Sequence, residues 1–175
     1  MSGHNKWSTI KRKKEANDAK RSKMFTKIIK DITIAVREGG PDPDSNPRLR
    51  LAIANARGVN MPKDNIDRAI SSAEASADEK VVYEAYGPGG TAIIIEGLTD
   101  SRNRTSQEIK HLLSKNGGSL VAPGSAIWAF SKTPEGTWLP TTSVHLSNDD
   151  TEKLSNLIMQ LEDHDDIQGV YTNVS

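Results

Sequence analysis

The 175-residue sequence contains no cysteine, which excludes disulfide bonds, cysteine-based zinc sites and thiol nucleophiles. No apolar run approaches the roughly 20 residues of a membrane-spanning helix. The basic N-terminus is not followed by the apolar segment of a secretory signal. Aromatic residues make up only 5% of the chain, and the formal net charge is zero. We therefore expect a polar globular protein of the cytoplasm, without a membrane partner.

The zero net charge is the sum of a basic N-terminal end and an acidic C-terminal end. Residues Met1–Lys30 contain ten lysines and arginines against two acids, a local net charge of +8. Residues Thr133–Ser175 contain one lysine against eight acids. A charge distribution of this kind produces a polarised field, and its basic end indicates a polyanionic partner.

The basic residues of the N-terminal third are also periodic. At about 100° per residue, one sector of a helix contains Lys20, Lys23, Lys27 and Lys30. The opposite sector contains Phe25, Ile28, Ile29, Ile32 and Val36. The pattern predicts a helix over Asp18–Glu38 with its apolar side on a core and a row of ammonium groups facing solvent. Before it, residues 1–18 read as a basic arm in which Trp7 could stack on a base.

A second pair of cations, Arg102 and Arg104, is predicted to lie in a loop before a helix that opens with a Thr105/Glu108 capping box. Either could contact a phosphate at the helix N-terminus. The predicted nucleic-acid-binding residues are Lys6, Trp7, Lys11, Arg12, Lys13, Lys14, Lys20, Arg21, Lys23, Lys27, Lys30, Arg102 and Arg104.

The remaining pattern predicts a helical domain over residues 1–75 and an α+β domain over residues 80–175. Asn46 followed by Pro47 is an N-cap signal, and Pro62 opens a third helix. Ser71–Lys80 lacks large apolar residues and reads as a linker. The mixed helices and strands that follow are typical of a largely antiparallel sheet, in an overall α+β fold. The predicted strands are Val81–Tyr86, Thr91–Leu98, Ser125–Ser131 and Ile167–Thr172.

Two motifs have competing interpretations. Gly87–Gly90 could be a phosphate loop, but it lacks the lysine and the helix that follow such loops, so a hairpin turn is favoured. Asp163–Asp166 could bind a cation, but consecutive side chains diverge, so the favoured interpretations are a solvated helix end or charge that keeps the basic domain from self-association. The four histidines form no catalytic pattern. We expect no enzyme activity, cofactor, metal or small-molecule substrate, and a monomer; the enzyme alternative is a metal-dependent nuclease.

The sequence also contains a series of long motifs, which are Gly3–Trp7, Asp18–Lys27, Gly39–Pro43, Asn60–Ile66, Tyr86–Ala92, Asp100–Thr105 and Leu161–Gln168. In these motifs and in their order the sequence resembles the YebC/PmpR family, which includes the mitochondrial translational activator of cytochrome c oxidase subunit I. The similar segments cover Met1–Lys132 and about Trp138–Asn173.

The resemblance implies a ferredoxin-like third lobe that this sequence lacks between about residues 132 and 138, where only Thr133–Thr137 joins the flanking segments. It also implies one of two functions. Some members are DNA-binding transcriptional regulators, and others are translation factors that engage the ribosome and relieve stalling. A lysine-rich surface contacts nucleic-acid backbone, which rRNA and double-stranded DNA both offer. We favour the ribosome-associated translation factor and keep the transcriptional regulator as the alternative.

Overall fold

The computed structural model describes residues 18–175, which form two compact units. The helical unit comprises residues 18–78 together with Pro134–Thr137. The α+β unit comprises Glu79–Thr133 and Trp138–Ser175. The α+β fold class predicted from the sequence is confirmed by this arrangement of helices and antiparallel strands.

The helical unit is built around one long helix, α1 (Asp18–Gly39). Both shorter helices, α2 (Pro47–Gly58) and α3 (Lys63–Ser72), pack against it. The predicted apolar stripe of α1 faces this core, with Ile28 and Ile32 fully buried. Ile29 is an exception, because its side chain is 38% exposed. The core residues are Ile28, Ile32, Ala35, Val36, Leu49, Ala52, Ile53, Ala56, Met61, Ile66, Ala69 and Ala73.

The turn between α1 and α2 depends on the side chain of Asn46, which is 3% exposed. Its Oδ1 accepts a hydrogen bond from the Leu49 backbone N–H at 3.0 Å, which confirms the predicted N-cap. Its Nδ2 donates to the carbonyls of Ala35 and Gly40, each at 2.8 Å. A Cβ on Gly39 would lie 2.7 Å from that Nδ2, so this close approach requires glycine.

The end of the helical unit is more ordered than the predicted linker suggests. α3 continues to Ser72, and a 3-10 turn over Ala73–Ala75 follows. The Arg37 guanidinium donates hydrogen bonds to three backbone carbonyls, those of Ala73, Ser76 and Asp78. Arg37 therefore fixes the segment that was predicted to be a linker because it lacks large apolar residues.

The α+β unit contains a four-stranded antiparallel sheet with the order β3-β1-β2-β6. Its strands are β1 (Glu79–Tyr86), β2 (Ala92–Thr99), β3 (Ser119–Val121) and β6 (Ile167–Thr172). The helices α4 (Arg102–Lys115) and α5 (Asn148–Asp163) supply Ile109, Leu113, Leu154 and Leu157 to one face of the sheet. Because β6 pairs with β2, and α5 packs against the same sheet, the end of the chain completes this layer.

A short antiparallel hairpin, β4 (Phe130–Lys132) and β5 (Trp138–Pro140), covers the other face of the sheet. Phe130 and Trp138 pack there with Ile94 of β2. The predicted strand over Ser125–Ser131 is wrong in its first half, since Ile127–Ala129 is a 3-10 turn. The strands β3 and β5 were not predicted, because three-residue strands carry too little periodicity to detect.

In the part of the chain that the structure describes, the helices are too short or too polar to span a lipid bilayer.

Candidate nucleic-acid interface

The lysines of α1 do not form a uniform row facing solvent. Lys20 is exposed, and Lys23 and Lys30 are half-buried. Lys27 is only 6% exposed, so the predicted outward orientation is wrong for this residue. Ile34, which lies seven residues further along the same side of α1, is 1% exposed. This side of the helix is therefore covered around Lys27, whose aliphatic stem is suited to burial.

The exposed cationic surface of α1 lies towards its N-terminal end, at Lys20 and Arg21. The Arg21 guanidinium carbon lies 5.3 Å from the centre of the Phe25 ring, one helical turn away. Phe25 in turn packs against the core of the helical unit. The cation–π contact orients a planar guanidinium, which is the group best suited to bidentate recognition of phosphate.

The arm residues predicted to bind nucleic acid lie outside the described residues. They are Lys6, Trp7, Lys11, Arg12, Lys13 and Lys14.

Arg102 and Arg104 lie in the first turn of α4 and not in the loop before it. The N-cap is Ser101, whose hydroxyl accepts from the Arg104 N–H, so the predicted Thr105/Glu108 capping box is wrong. The Arg102 Nε is 3.2 Å from a carboxylate oxygen of Glu79. Both arginines are exposed at the surface, but each is engaged by carboxylates of its own unit.

Asp166 is the main partner of Arg104. Its Oδ2 lies 2.5 Å from the Arg104 Nη2 and accepts a hydrogen bond from the Thr105 hydroxyl at 2.7 Å. This hydrogen bond to Asp166 is the principal reason that the pKa of Arg104 is raised. Asp100 adds a second carboxylate, 3.0 Å from the Arg104 Nη1. Since Asp166 is 6% exposed, the interpretation of Asp163–Asp166 as a solvated helix end is wrong for this residue.

Within residues 18–175, potential metal ligands converge at Glu108, His164 and Asp166, whose ligand atoms lie within 4.8 Å of one another. The hydrogen bonds favour a polar network over a metal site. The Asp166 backbone N–H donates to the His164 Nδ1 at 3.1 Å, so the proton of a neutral ring is on Nε2. That N–H faces a Glu108 oxygen at 2.6 Å, and Arg104 already neutralises Asp166. A metal would have to displace both a proton and a guanidinium.

Two buried glutamates of the sheet were not identified from the sequence. Glu84 in β1 accepts backbone hydrogen bonds from Gly124, Ala126 and Ile127 at 2.7 to 2.8 Å. Burial alone would raise the pKa of Glu84, but these three donors outweigh it, and the pKa is lowered. Glu84 therefore fixes the loop that precedes β4.

Glu96 in β2 is 1% exposed and has partners on three other strands. Lys80 and Lys132 approach it at 3.6 and 3.7 Å, and the Trp138 indole N–H donates to it at 3.0 Å. The sequence does contain a signal that could have identified Glu96, because it is the single charged residue in an otherwise apolar run, Ile93 to Leu98.

Comparison with known sequences gives two profile matches that cover most of the chain. The TACO1/YebC protein N-terminal domain matches residues 5–76. The TACO1/YebC second and third domain matches in two segments, residues 78–135 and 132–174. The two segments meet where β4 and β5 are joined.

Similar full-length proteins come from several bacteria. A "Probable transcriptional regulatory protein" of Fervidobacterium nodosum is 40% identical over 235 aligned residues, covering 99% of this chain and 93% of the relative. One of the same name from Chloroherpeton thalassium is 40% identical over 238 residues, covering 99% and 95%. Both alignments are longer than this chain, so each relative contains a stretch that has no counterpart here. The crystal structure of a conserved hypothetical protein from Aquifex aeolicus superimposes with a TM-score of 0.77 and 31% identity, covering 90% of this chain and 91% of that one.

Proposed function

Because the chain belongs to the TACO1/YebC family, we propose that it is a non-enzymatic, nucleic-acid-binding factor of gene expression. Its target is the ribosome, where it contacts rRNA and relieves stalled translation. The observation that carries this proposal is the exposed cationic end of α1, Lys20 and Arg21, which are part of the first thirty residues with their net charge of +8. Neutralising phosphates with such residues is the main source of affinity for nucleic acid.

The choice of rRNA over double-stranded DNA rests on the type of side chain. Base-specific contacts in a DNA groove use arginine, asparagine or glutamine on an exposed helix face. At the exposed end of α1, Lys20 supplies point charge without base discrimination, and Arg21 is a single arginine where groove reading ordinarily uses about three or four side chains. Folded RNA offers crowded phosphates and unstacked bases that such a surface can bind without reading a sequence.

The second candidate is a DNA-binding transcriptional regulator. The names of the relatives favour it, since those from Fervidobacterium nodosum and Chloroherpeton thalassium are both called probable transcriptional regulatory proteins. In either case we propose a short form of the family that lacks the third lobe between about residues 132 and 138. The longer alignments to these relatives support that proposal.

The two candidates separate when the protein is expressed in its host and crosslinked. A translation factor should sediment with ribosomes on a sucrose gradient and crosslink to rRNA. The double variant K20E/R21E should lose this association, with RNA affinity reduced at least about tenfold. The matched control is R57E/R68E, which makes the same charge change at two exposed arginines of α2 and α3.

Wild-type protein that stays off ribosomes and crosslinks to defined promoter DNA would contradict the translation proposal. Equal weakening by K20E/R21E and R57E/R68E would show that only net charge matters, and that α1 is not the interface.

A further inference from the structure

The loop between β3 and β4 holds an exposed tryptophan in a fixed position. Trp128 is 59% exposed, the largest exposure among the big apolar side chains in the described part of the chain. The loop beneath it is anchored by the Glu84 carboxylate, which accepts hydrogen bonds from the backbone N–H groups of Gly124, Ala126 and Ile127. An exposed indole on so firmly bonded a loop loses little conformational entropy when it binds a partner.

The polar atom of this indole is already used within the protein. The Trp128 Nε1–H donates to the Ser125 carbonyl at 2.9 Å and lies 3.3 Å from the Tyr86 hydroxyl oxygen. Tyr86 itself donates to the same Ser125 carbonyl at 2.6 Å. What Trp128 offers a partner is therefore the flat π surface of its ring. A nucleobase needs only that surface in order to stack.

The charges on the sheet face that the β4–β5 hairpin covers suit a polyanion. There the Glu84 carboxylate is balanced by backbone donors. The buried Glu96 is shared by Lys80 and Lys132, so those three side chains have a net positive charge. Lys132 follows Trp128 by four residues, on β4, so the strand that continues from this loop carries positive charge although the unit as a whole is acidic.

We propose that Trp128 is a second RNA contact, which stacks on an unpaired base, with Lys132 of the following strand β4 supplying positive charge for the phosphates. This inference rests on the proposed RNA-binding function and adds a contact in the α+β unit to the one on α1. Because bases in a duplex are already stacked, the contact selects single-stranded or looped RNA over regular duplexes.

The test measures binding of the full chain to a short fluorescent oligouridylate and to an RNA duplex of the same length, by anisotropy. Trp128→Ala should weaken binding to the single strand at least about fivefold, the loss of one stacked base, and leave duplex binding unchanged. Trp128→Phe should retain most of the affinity, since phenylalanine also stacks. Leu139→Ala, at a 50% exposed position on β5, is the control and should match wild type.

Three results would overturn the inference: Trp128→Ala binds the single strand like wild type, or loses single strand and duplex equally, or is matched in its loss by Trp128→Phe. A second measurement covers the case in which Trp128→Ala does not fold. In a W7F/W138F protein, Trp128 fluorescence should be quenched by oligouridylate, and unchanged emission at saturation would also overturn the inference.

These outcomes are distinct from failure of the proposed function. If wild-type protein binds neither RNA, the proposed function fails. If wild type binds and K20E/R21E is weakened while Trp128→Ala is not, the proposed function stands and only the tryptophan contact is wrong. If Trp128 instead binds a partner protein, K20E/R21E should be weakened in RNA binding and Trp128→Ala should not.

Discussion

The two units use their charged residues differently. In the helical unit the exposed cations proposed to bind nucleic acid, Lys20 and Arg21, are adjacent residues of a single helix. In the α+β unit the decisive charged side chains are buried carboxylates, Glu84, Glu96 and Asp166. Each of these three is neutralised by donors from distant segments of the chain.

This difference separates charge used for binding from charge used for folding. An exposed lysine on a helix contributes little to stability and remains available to a phosphate. A buried carboxylate has lost its hydration, so every donor around it is needed, and removing the carboxylate leaves those donors unsatisfied. We therefore expect mutations of the α+β carboxylates to change stability, and mutations of the exposed α1 cations to change binding.

The largest effect is expected for Glu84→Ala. Three backbone N–H groups, of which that of Ala126 is buried, would lose a charged acceptor, which should lower the free energy of unfolding by about 4 kcal/mol. Urea denaturation measures this change directly. The matched control is Glu152→Ala, which removes an exposed carboxylate of α5 and should change stability by less than about 0.5 kcal/mol. If the two variants unfold at the same urea concentration, the carboxylate of Glu84 does not hold its loop.

The next largest effect tests the same principle in the helical unit, with an uncharged side chain. Asn46→Ala removes an N-cap and two hydrogen bonds to buried carbonyls, so we expect a loss of about 3 kcal/mol. Asn46→Asp keeps the cap acceptor but places a carboxylate oxygen against the carbonyls of Ala35 and Gly40, and should also be less stable than wild type. Equal stability of Asn46→Asp and wild type would mean that the two carbonyl contacts contribute nothing.

A third prediction contrasts two lysines of the same helix. Lys27→Glu places a shorter, opposite charge at a 6% exposed position and should lower the free energy of unfolding by about 2 kcal/mol. Lys20→Glu makes the same charge change at an exposed position and should remain within about 0.5 kcal/mol of wild type. Thermal unfolding of the two proteins compares them at equal net charge. Indistinguishable melting temperatures would contradict the burial of Lys27.

Local signals in the sequence were sufficient for much of the fold. The Asn46–Pro47 pair located the start of α2, and the period of the isoleucines located the core side of α1. The start of α4 was missed because two capping patterns overlap there. Ser101 is the cap, while the Thr105 hydroxyl is directed inward to Asp166.

The candidate site was less predictable, because its parts are defined by contacts between distant residues. Glu84 binds backbone N–H groups some forty positions away, and backbone donors have no sequence signature. Lys27 fits the periodicity of the basic row, yet periodicity cannot show that this side of the helix is covered. Trp128 has no flanking pattern that distinguishes an exposed indole from a core residue.

The smallest expected effect is a pH dependence that originates at Glu84. Burial opposes ionisation of Glu84, but the three backbone donors outweigh it and lower its pKa in the folded protein, while in the unfolded chain the pKa returns to its ordinary value. Stabilisation by the ionised group is therefore complete above the unfolded pKa and is lost as the pH falls through the folded pKa. In Glu84→Gln the group cannot ionise, so this component of the pH dependence is absent. Urea midpoints measured from pH 7 down to pH 3 should thus converge for wild type and Glu84→Gln at the acid end, with wild type the more stable at neutral pH. A constant difference over the whole range would show that ionisation of Glu84 does not contribute to the pH dependence of stability.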